Sequence, residues 1–105
     1  MRDVLDLHTH TIASGHAYNT MMEMIHEAQN KGLEVYGITE HAPRMKGTCT
    51  DFYFHNLKVV PRKYGDLELL LGVELNILDE YGTVDLEEPH LGDMDVAIAS
   101  LHKPC

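Results

Sequence analysis

Cysteine and positive charge are both scarce in this sequence. Its two cysteines, Cys49 and Cys105, do not form a CxxC pair, so a disulfide framework is not expected. We expect a reducing, cytoplasmic setting instead. The sequence has only 8 basic residues and 17 acidic ones, which gives a net charge of −9. This balance argues against nucleic acid or an anionic membrane as a partner, although it leaves a phosphorylated substrate open.

Long apolar runs are also missing. No stretch of about 18 apolar residues occurs, so no transmembrane helix is predicted. Residues 1–6 contain no apolar segment of the kind found in secretory signals. With 105 residues, of which 44% are hydrophobic, the chain is long enough for one small domain with a modest core.

The hydrophobic pattern predicts an α/β fold with parallel strands. A helix is bounded by Thr20 and Glu23, which fit a capping box, and by Gly32 after Lys31. The strand–helix–strand order with short connections is typical of a right-handed βαβ unit. The pattern predicts strands at 3–8, 33–39, 67–78 and 95–101, a loop at 42–53, a helix at 54–64, a turn at 79–82, a returning strand at 83–86 and one helical turn within 87–94.

Residues that can bind metals lie at or near the end of each predicted parallel strand. Because the carboxyl ends of parallel strands open on one face, we expect these side chains to meet at one rim. A turn at Ser14–Gly15 could bring one more histidine, His16, back toward them. Histidine is the commonest protein ligand of metals, so the set favours a metal site over a merely polar rim. The residues are His8, His10, His41, Glu74 and His102, with His16.

Five histidines and one carboxylate exceed the needs of a single tetrahedral zinc ion. Glu74 can bridge two ions, and two or more ions about 3.5–4 Å apart suit the hydrolysis of phosphate esters. Asp6 shares strand parity with the first histidines, so it either orients one imidazole as an outer partner or is a strand-edge acid. The remaining histidines, His26, His55 and His90, are expected on the surface, with His55 as an alternative member of the site.

Four short motifs resemble those of the PHP family, named for polymerase and histidinol phosphatase. They occur in the family's order along the whole chain, and further segments at 14–20 and 56–62 resemble the YcdX-like phosphatases within it. The motifs are Asp6-Leu7-His8-Thr9-His10-Thr11, Ile38-Thr39-Glu40-His41-Ala42, Gly72-Val73-Glu74-Leu75-Asn76-Ile77 and Ala99-Ser100-Leu101-His102-Lys103-Pro104.

The resemblance implies a distorted (β/α)7 barrel with up to three ions, zinc or else manganese or iron, that hydrolyses small phosphomonoesters through a metal-bound hydroxide. It implies that Glu74 and His102 take part in catalysis. It assigns His8, His10 and Glu74 to one ion, Glu74 and His102 to a second, and His16 and His41 to a third. Lys103 or Arg44 would contact the phosphate, unless both are simply solvated charges.

Later motifs of the family, a further histidine and an aspartate–histidine pair, have no counterpart in this sequence. We therefore expect residues 1–105 to form the N-terminal portion of a single PHP domain, completed by a missing C-terminal half or by another copy. Alternatives are a non-catalytic metal-binding or partner-completed module and a metal-independent α/β binding domain. The sequence does not identify the substrate, the metal or the oligomeric state.

Overall fold

A computed structural model describes residues 5–15, 17–43, 49–86 and 91–100. Short 3-10 turns at Ile12–Ser14, Leu57–Val59 and Leu91–Asp93 connect the main elements. Those elements, in chain order, are β1 (Leu5–Asp6), α1 (Met21–Asn30), β2 (Val35–His41), α2 (Asp51–Asn56), β3 (Lys63–Tyr64), β4 (Leu67–Asn76) and β5 (Val96–Ser100).

The five strands form one sheet with β4 at its centre. The strand order is β1-β2-β4, and the far side of β4 pairs with β3 near its start and with β5 over its second half. All pairings are parallel except the short antiparallel contact of β3 with β4. The predicted α/β class is therefore confirmed, and the parallel strands curl into part of a barrel.

Helix α1 begins and ends where the sequence predicts. The Thr20 hydroxyl accepts a hydrogen bond from the Glu23 amide at 3.3 Å, and the Glu23 carboxylate accepts one from the Thr20 amide at 2.8 Å, completing the capping box. After Lys31, Gly32 takes a φ of 77°, a left-handed conformation that favours glycine at a helix end. Ile25 is fully buried against the sheet, whereas Met22 on the same helix is about half exposed.

The two faces of the sheet have different compositions. The face toward the helices is apolar, because alternate residues of β4 on that side are buried in one core with Ile25 of α1 and Phe54 of α2. The other face has glycine in two central strands. A Cβ on Gly72 would lie 1.8 Å from the Val96 carbonyl oxygen, so only glycine fits there. The β4 residues in the core are Leu69, Leu71, Val73 and Leu75.

The predicted helix at 54–64 is wrong in its bounds. Helix α2 starts earlier, at Asp51, within the segment predicted as loop, and it passes into the 3-10 turn that ends at Val59. Pro61 follows, where a helix cannot continue its hydrogen bonds. The next residues form β3, which returns antiparallel onto β4.

Two further expectations, on the first strand and on the returning strand, also need correction. Among the described residues the first strand, predicted at 3–8, covers only Leu5–Asp6, and Leu5 is 53% exposed at the sheet edge. The predicted returning strand at 83–86 is reduced to an isolated bridge between Val84 and Ile77, although Gly82, at the end of the predicted turn, has a positive φ of 81°. Within the part of 87–94 that is described, the helical turn is Leu91–Asp93. No helix among the described residues is both long and apolar enough to cross a membrane.

Candidate metal centre

The pairing of β2 with β4 sets the geometry of the rim. Their parallel register places His41 directly opposite Glu74 at the carboxyl ends of both strands. Side chains that are paired in register point to the same face of a sheet. His41 and Glu74 therefore lie side by side on the face away from the helices, and Glu74 is buried there.

Two further imidazoles reach Glu74 from the segment after β1. The Nε2 atoms of His8 and His10 lie 2.8 and 2.9 Å from the same oxygen, Oε1 of Glu74. The His8 side chain is half exposed, whereas that of His10 is 21% exposed. The predicted convergence of these residues at the end of the first strand is thus present in the structure.

His41 completes the described cluster of rings. Its imidazole stacks on that of His10, with ring centroids 4.2 Å apart and planes inclined by 8°. Its Nδ1 atom lies 3.5 Å from Oε1 of Glu74. Three imidazoles and one carboxylate are thereby concentrated at the carboxyl ends of the parallel strands β1, β2 and β4, the position where α/β folds usually hold their active sites.

Glu74 remains ionised in this setting. Burial raises the pKa of the carboxyl group, but hydrogen bonds from His8 and from the Ser100 hydroxyl, together with the nearby charge of His41, outweigh burial and lower the pKa to about 2. The Ser100 hydroxyl donates to Oε2 at 2.8 Å. One oxygen is thus held by β5 while the other faces the imidazoles.

The His10 imidazole lies between two carboxylates. The Glu40 carboxylate, 3.7 Å from Nδ1, raises the pKa of His10 most, burial lowers it, and the charge of Glu74 raises it again, so that the net shift of the pKa is upward. In the metal-free chain the ring is thus biased toward the protonated form. A bound cation would replace that proton as the positive charge between the carboxylates.

Glu40 is the residue that sequence reasoning missed. It occurs in the second motif, yet its side chain is completely buried and points away from His41, toward the helix layer. The backbone amide and hydroxyl of Thr11 and the hydroxyl of Ser14 donate hydrogen bonds to its carboxylate. The signal was available in the sequence, since an acidic residue inside an otherwise apolar buried strand requires several donors.

Asp6 contacts the backbone in the described structure. Its Oδ1 atom accepts a hydrogen bond from the backbone amide of His8 at 3.3 Å. This contact shapes the exit from β1 and is not a contact with an imidazole. The other predicted site residues, His16, Arg44, His102 and Lys103, lie outside the described residues, as does His90. His26 and His55 are exposed, as predicted.

The donor set fits a divalent metal ion. One ligand atom from each of His8, His10 and Glu74 can be chosen so that all three lie within 4.8 Å of one another. Two imidazoles with one carboxylate form a set found in catalytic zinc sites, which keep an open position for water or substrate. No thiol contributes to the group, so the chemistry differs from that of cysteine-rich structural zinc sites.

The PHP domain model matches this chain over residues 6–103. The chain belongs to the PHP family. A protein of Caldicellulosiruptor saccharolyticus named "Probable phosphatase" is 54% identical over 101 residues. Proteins with the same description from Thermoanaerobacter sp. and Clostridium novyi are 52% and 50% identical over 105 residues. The metal-capable residues at the rim thus belong to a recognised PHP domain.

These relatives are longer than the chain. The alignments cover 96% to 100% of this PHP chain but only 42% to 43% of each relative. The chain therefore spans less than half the length of the curated relatives it matches.

Proposed function

We propose that this PHP chain provides the metal-binding part of a metal-dependent phosphoesterase that acts on small phosphomonoesters. The observation that carries the proposal is the convergence of His8 and His10 on Glu74 at the carboxyl rim of the sheet. The description "Probable phosphatase" of the similar proteins supports the choice of reaction. We further propose that the chain corresponds to the N-terminal portion of the domain.

The residues present suit this chemistry. A divalent ion, zinc or else manganese or iron, would supply Lewis acidity and lower the pKa of a water molecule. His8, His10 and Glu74 would hold such an ion. The low pKa of Glu74 keeps its carboxylate ionised, and Ser100 fixes the orientation of that carboxylate from the neighbouring strand.

His41 has a separate place in the proposal. Its ring lies beside His10 and its Nδ1 atom is 3.5 Å from Glu74, so it could hold an adjacent ion of a site with two or three metals. We propose that His16 and His102 contribute to the same assembly, and that Lys103 and Arg44 are candidates for contact with the phosphate. These four assignments rest on the motifs alone.

Replacement of Glu74 by Gln tests the proposal. We expect the unsubstituted chain to bind Zn²⁺ or Mn²⁺ and to hydrolyse 4-nitrophenyl phosphate only when metal is present, with Glu74→Gln abolishing both properties. Glu68→Gln is the matched control, because Glu68 lies on the same strand but is exposed near its start. Hydrolysis that survives Glu74→Gln unchanged would refute the proposed site.

A partner-completed module is the second candidate, and one observation favours it. On the helix side of β5, Ala97 and Ala99 are exposed, whereas their register partners on β4, Val73 and Leu75, are buried. The helix layer that covers β4 does not extend over β5 among the described residues. A second chain, either the remaining part of a PHP domain or another copy, would cover this surface.

Native mass and metal content distinguish the two candidates. Metal binding by a monomer with hydrolysis supports a catalytic site within this chain. Metal binding without hydrolysis, in a chain that forms a stable complex with another polypeptide or with itself, supports the partner-completed module. Absence of metal binding under all of these conditions would contradict both.

A further inference from the structure

A buried carboxylate lies directly behind the candidate metal centre. Glu40 precedes His41 in β2, is 0% exposed, and is paired in register with Val73 on the apolar side of the sheet. A charged group in such a layer is costly to bury unless hydrogen bonds and opposite charges compensate for its lost hydration. The contacts of Glu40 therefore indicate why the chain keeps an acid at this position.

Both oxygens of Glu40 are occupied by the turn that follows the first motif. Oε1 accepts hydrogen bonds from the Thr11 amide at 2.9 Å and from the Ser14 hydroxyl at 2.7 Å. Oε2 accepts one from the Thr11 hydroxyl, and the Tyr53 hydroxyl of α2 lies 3.4 Å from it. The carboxylate thus fixes both ends of the 3-10 turn at Ile12–Ser14 against the end of β2.

The same carboxylate faces the far side of the His10 ring. Nε2 of His10 is 2.9 Å from Glu74, whereas Nδ1 is 3.7 Å from Oε1 of Glu40 and 3.4 Å from the Ser14 hydroxyl. The ring therefore lies between a carboxylate on the rim face and a carboxylate on the helix side. Ser14 also contacts the second rim histidine, because its oxygen accepts a hydrogen bond from the backbone amide of His41 at 3.1 Å.

The hydrogen bonds of Ser14 indicate which nitrogen of His10 carries a proton. A serine hydroxyl has one proton, and Ser14 directs it to Glu40. In its contact with Ser14, Nδ1 of His10 must then be the donor. That assignment leaves the lone pair of Nε2 for an ion once the ring is neutral, and a metal-bound histidine commonly directs its second nitrogen at a carboxylate or another acceptor.

We propose that Glu40 is a positioning residue for the metal centre, acting with Ser14 to hold His10 in the orientation and tautomer that present Nε2 to the ion. The proposal rests on the proposed function, since it requires a metal at His8, His10 and Glu74. The competing explanation is that Glu40 only anchors the turn and contributes to stability without influencing the ring.

Zinc titration and ¹⁵N NMR of the histidine side chains separate these explanations. In the Zn²⁺ complex of the unsubstituted chain we expect His10 to be bound through Nε2, with a proton on Nδ1. Glu40→Gln should weaken Zn²⁺ binding about 10- to 100-fold, the usual effect of losing an outer partner of a ligand, and should populate binding through Nδ1. Ser14→Ala should shift both properties in the same direction by a smaller amount.

Two controls separate positioning from loss of stability. Leu57→Ala removes a buried core side chain away from the rim, so it should lower the melting temperature without changing the Zn²⁺ affinity or the nitrogen bound. Glu34→Gln alters an exposed acid just before the same strand and should change neither property. If Glu40→Gln does not fold, Ser14→Ala decides the question.

The outcomes that overturn the inference are distinct from those that overturn the proposed function. Folded Glu40→Gln and Ser14→Ala proteins that bind Zn²⁺ within twofold of the unsubstituted chain, with His10 still bound through Nε2, would overturn the inference alone. Failure of the unsubstituted chain to bind Zn²⁺, Mn²⁺ or Co²⁺ would overturn the proposed function, and the inference with it.

Discussion

Two polar clusters involve β4 and β5, and they have opposite character. Before β5, Asp95 forms an ion pair with Arg62 at 2.8 Å and accepts the Leu71 amide at 2.9 Å, while Arg62 also donates to the carbonyl oxygens of Leu57 and Val60 at 2.7 Å. One positive and one negative group balance each other there. We call this cluster the Arg62–Asp95 clamp.

The cluster at the carboxyl rim has no such balance among the described residues. The acids Glu74 and Glu40 face three imidazoles, which carry a positive charge only when protonated. A structural ion pair satisfies its own charges with lysine or arginine, whereas an arrangement of imidazoles around carboxylates requires protons or a metal cation. Within one sheet, the Arg62–Asp95 clamp is therefore a stabilising ion pair, whereas the rim cluster is a candidate functional site.

The largest effect should come from removing the central carboxylate of the rim. Glu74→Gln should lower the affinity for Zn²⁺ by more than about 100-fold, since loss of an outer partner alone costs about 10- to 100-fold. The clamp remains intact, so the metal-free variant should still unfold cooperatively. Isothermal titration with Zn²⁺ checks the affinity, and circular dichroism checks the fold. A Zn²⁺ affinity unchanged by Glu74→Gln would contradict the assignment of the rim cluster as the metal site.

The next largest effect, on stability, is expected at Gly72, which lies between the two clusters on β4. Gly72→Ala forces a methyl group onto the Val96 carbonyl oxygen, so we expect a loss of about 3 kcal/mol or more in the free energy of unfolding, with separation of β5 from β4. Gly82→Ala is the control, because its φ of 81° disfavours alanine while no atom lies within 4 Å of the added group. It should cost only about 1–2 kcal/mol. Equal losses in urea denaturation would contradict the steric argument.

A smaller effect is expected at the clamp itself. Asp95→Ala removes acceptors for Arg62 and for the Leu71 amide, so it should lower the free energy of unfolding by about 1–3 kcal/mol. The Zn²⁺ affinity should stay within about twofold, since the clamp does not contact the rim ligands. Urea denaturation and Zn²⁺ titration of the same samples measure both quantities. A marked fall in Zn²⁺ affinity would show that the two clusters are coupled.

The smallest effect is the dependence of stability on pH. The pKa of His10 is raised by folding, so its contribution is present below the unfolded pKa of about 6.5 and is lost as the pH rises through the folded value. The melting temperature of the metal-free chain should therefore fall as the pH rises above about 6.5. Added Zn²⁺ should reverse the trend, because ion binding displaces the proton.

The pKa of Glu74 is lowered to about 2, so its contribution to stability should persist above about pH 4.5 and be lost as the pH falls toward 2.

Local signals explain what the sequence predicted correctly. The limits of α1 follow from Thr20, Glu23 and Gly32, whose effects depend on neighbours within one turn. The meeting of His10 with Glu74 follows from a general property of parallel sheets, that strand ends share one side. Neither inference requires the identity of distant contacts.

The errors and omissions depend on contacts between distant residues. β3 is a two-residue strand that follows Pro61 and pairs with the start of β4, and no pattern within Lys63–Tyr64 reveals this pairing. Leu5 is exposed because β1 lies at the sheet edge. The role of Glu40 could be recognised only once Thr11 and Ser14, more than 25 residues earlier in the sequence, were found against its carboxylate.

The register of β2 and β4 has a consequence for folding accuracy. Seven consecutive residue pairs join the two strands, ending at His41 and Glu74. A slip by one residue would turn one partner of that pair to the other face, because side chains alternate along a strand. A site of adjacent ions that uses both residues would form only in the correctly aligned pairing, and metal binding would stabilise that pairing over the shifted ones by mass action. The presence of metal would then also favour the correct strand register during folding.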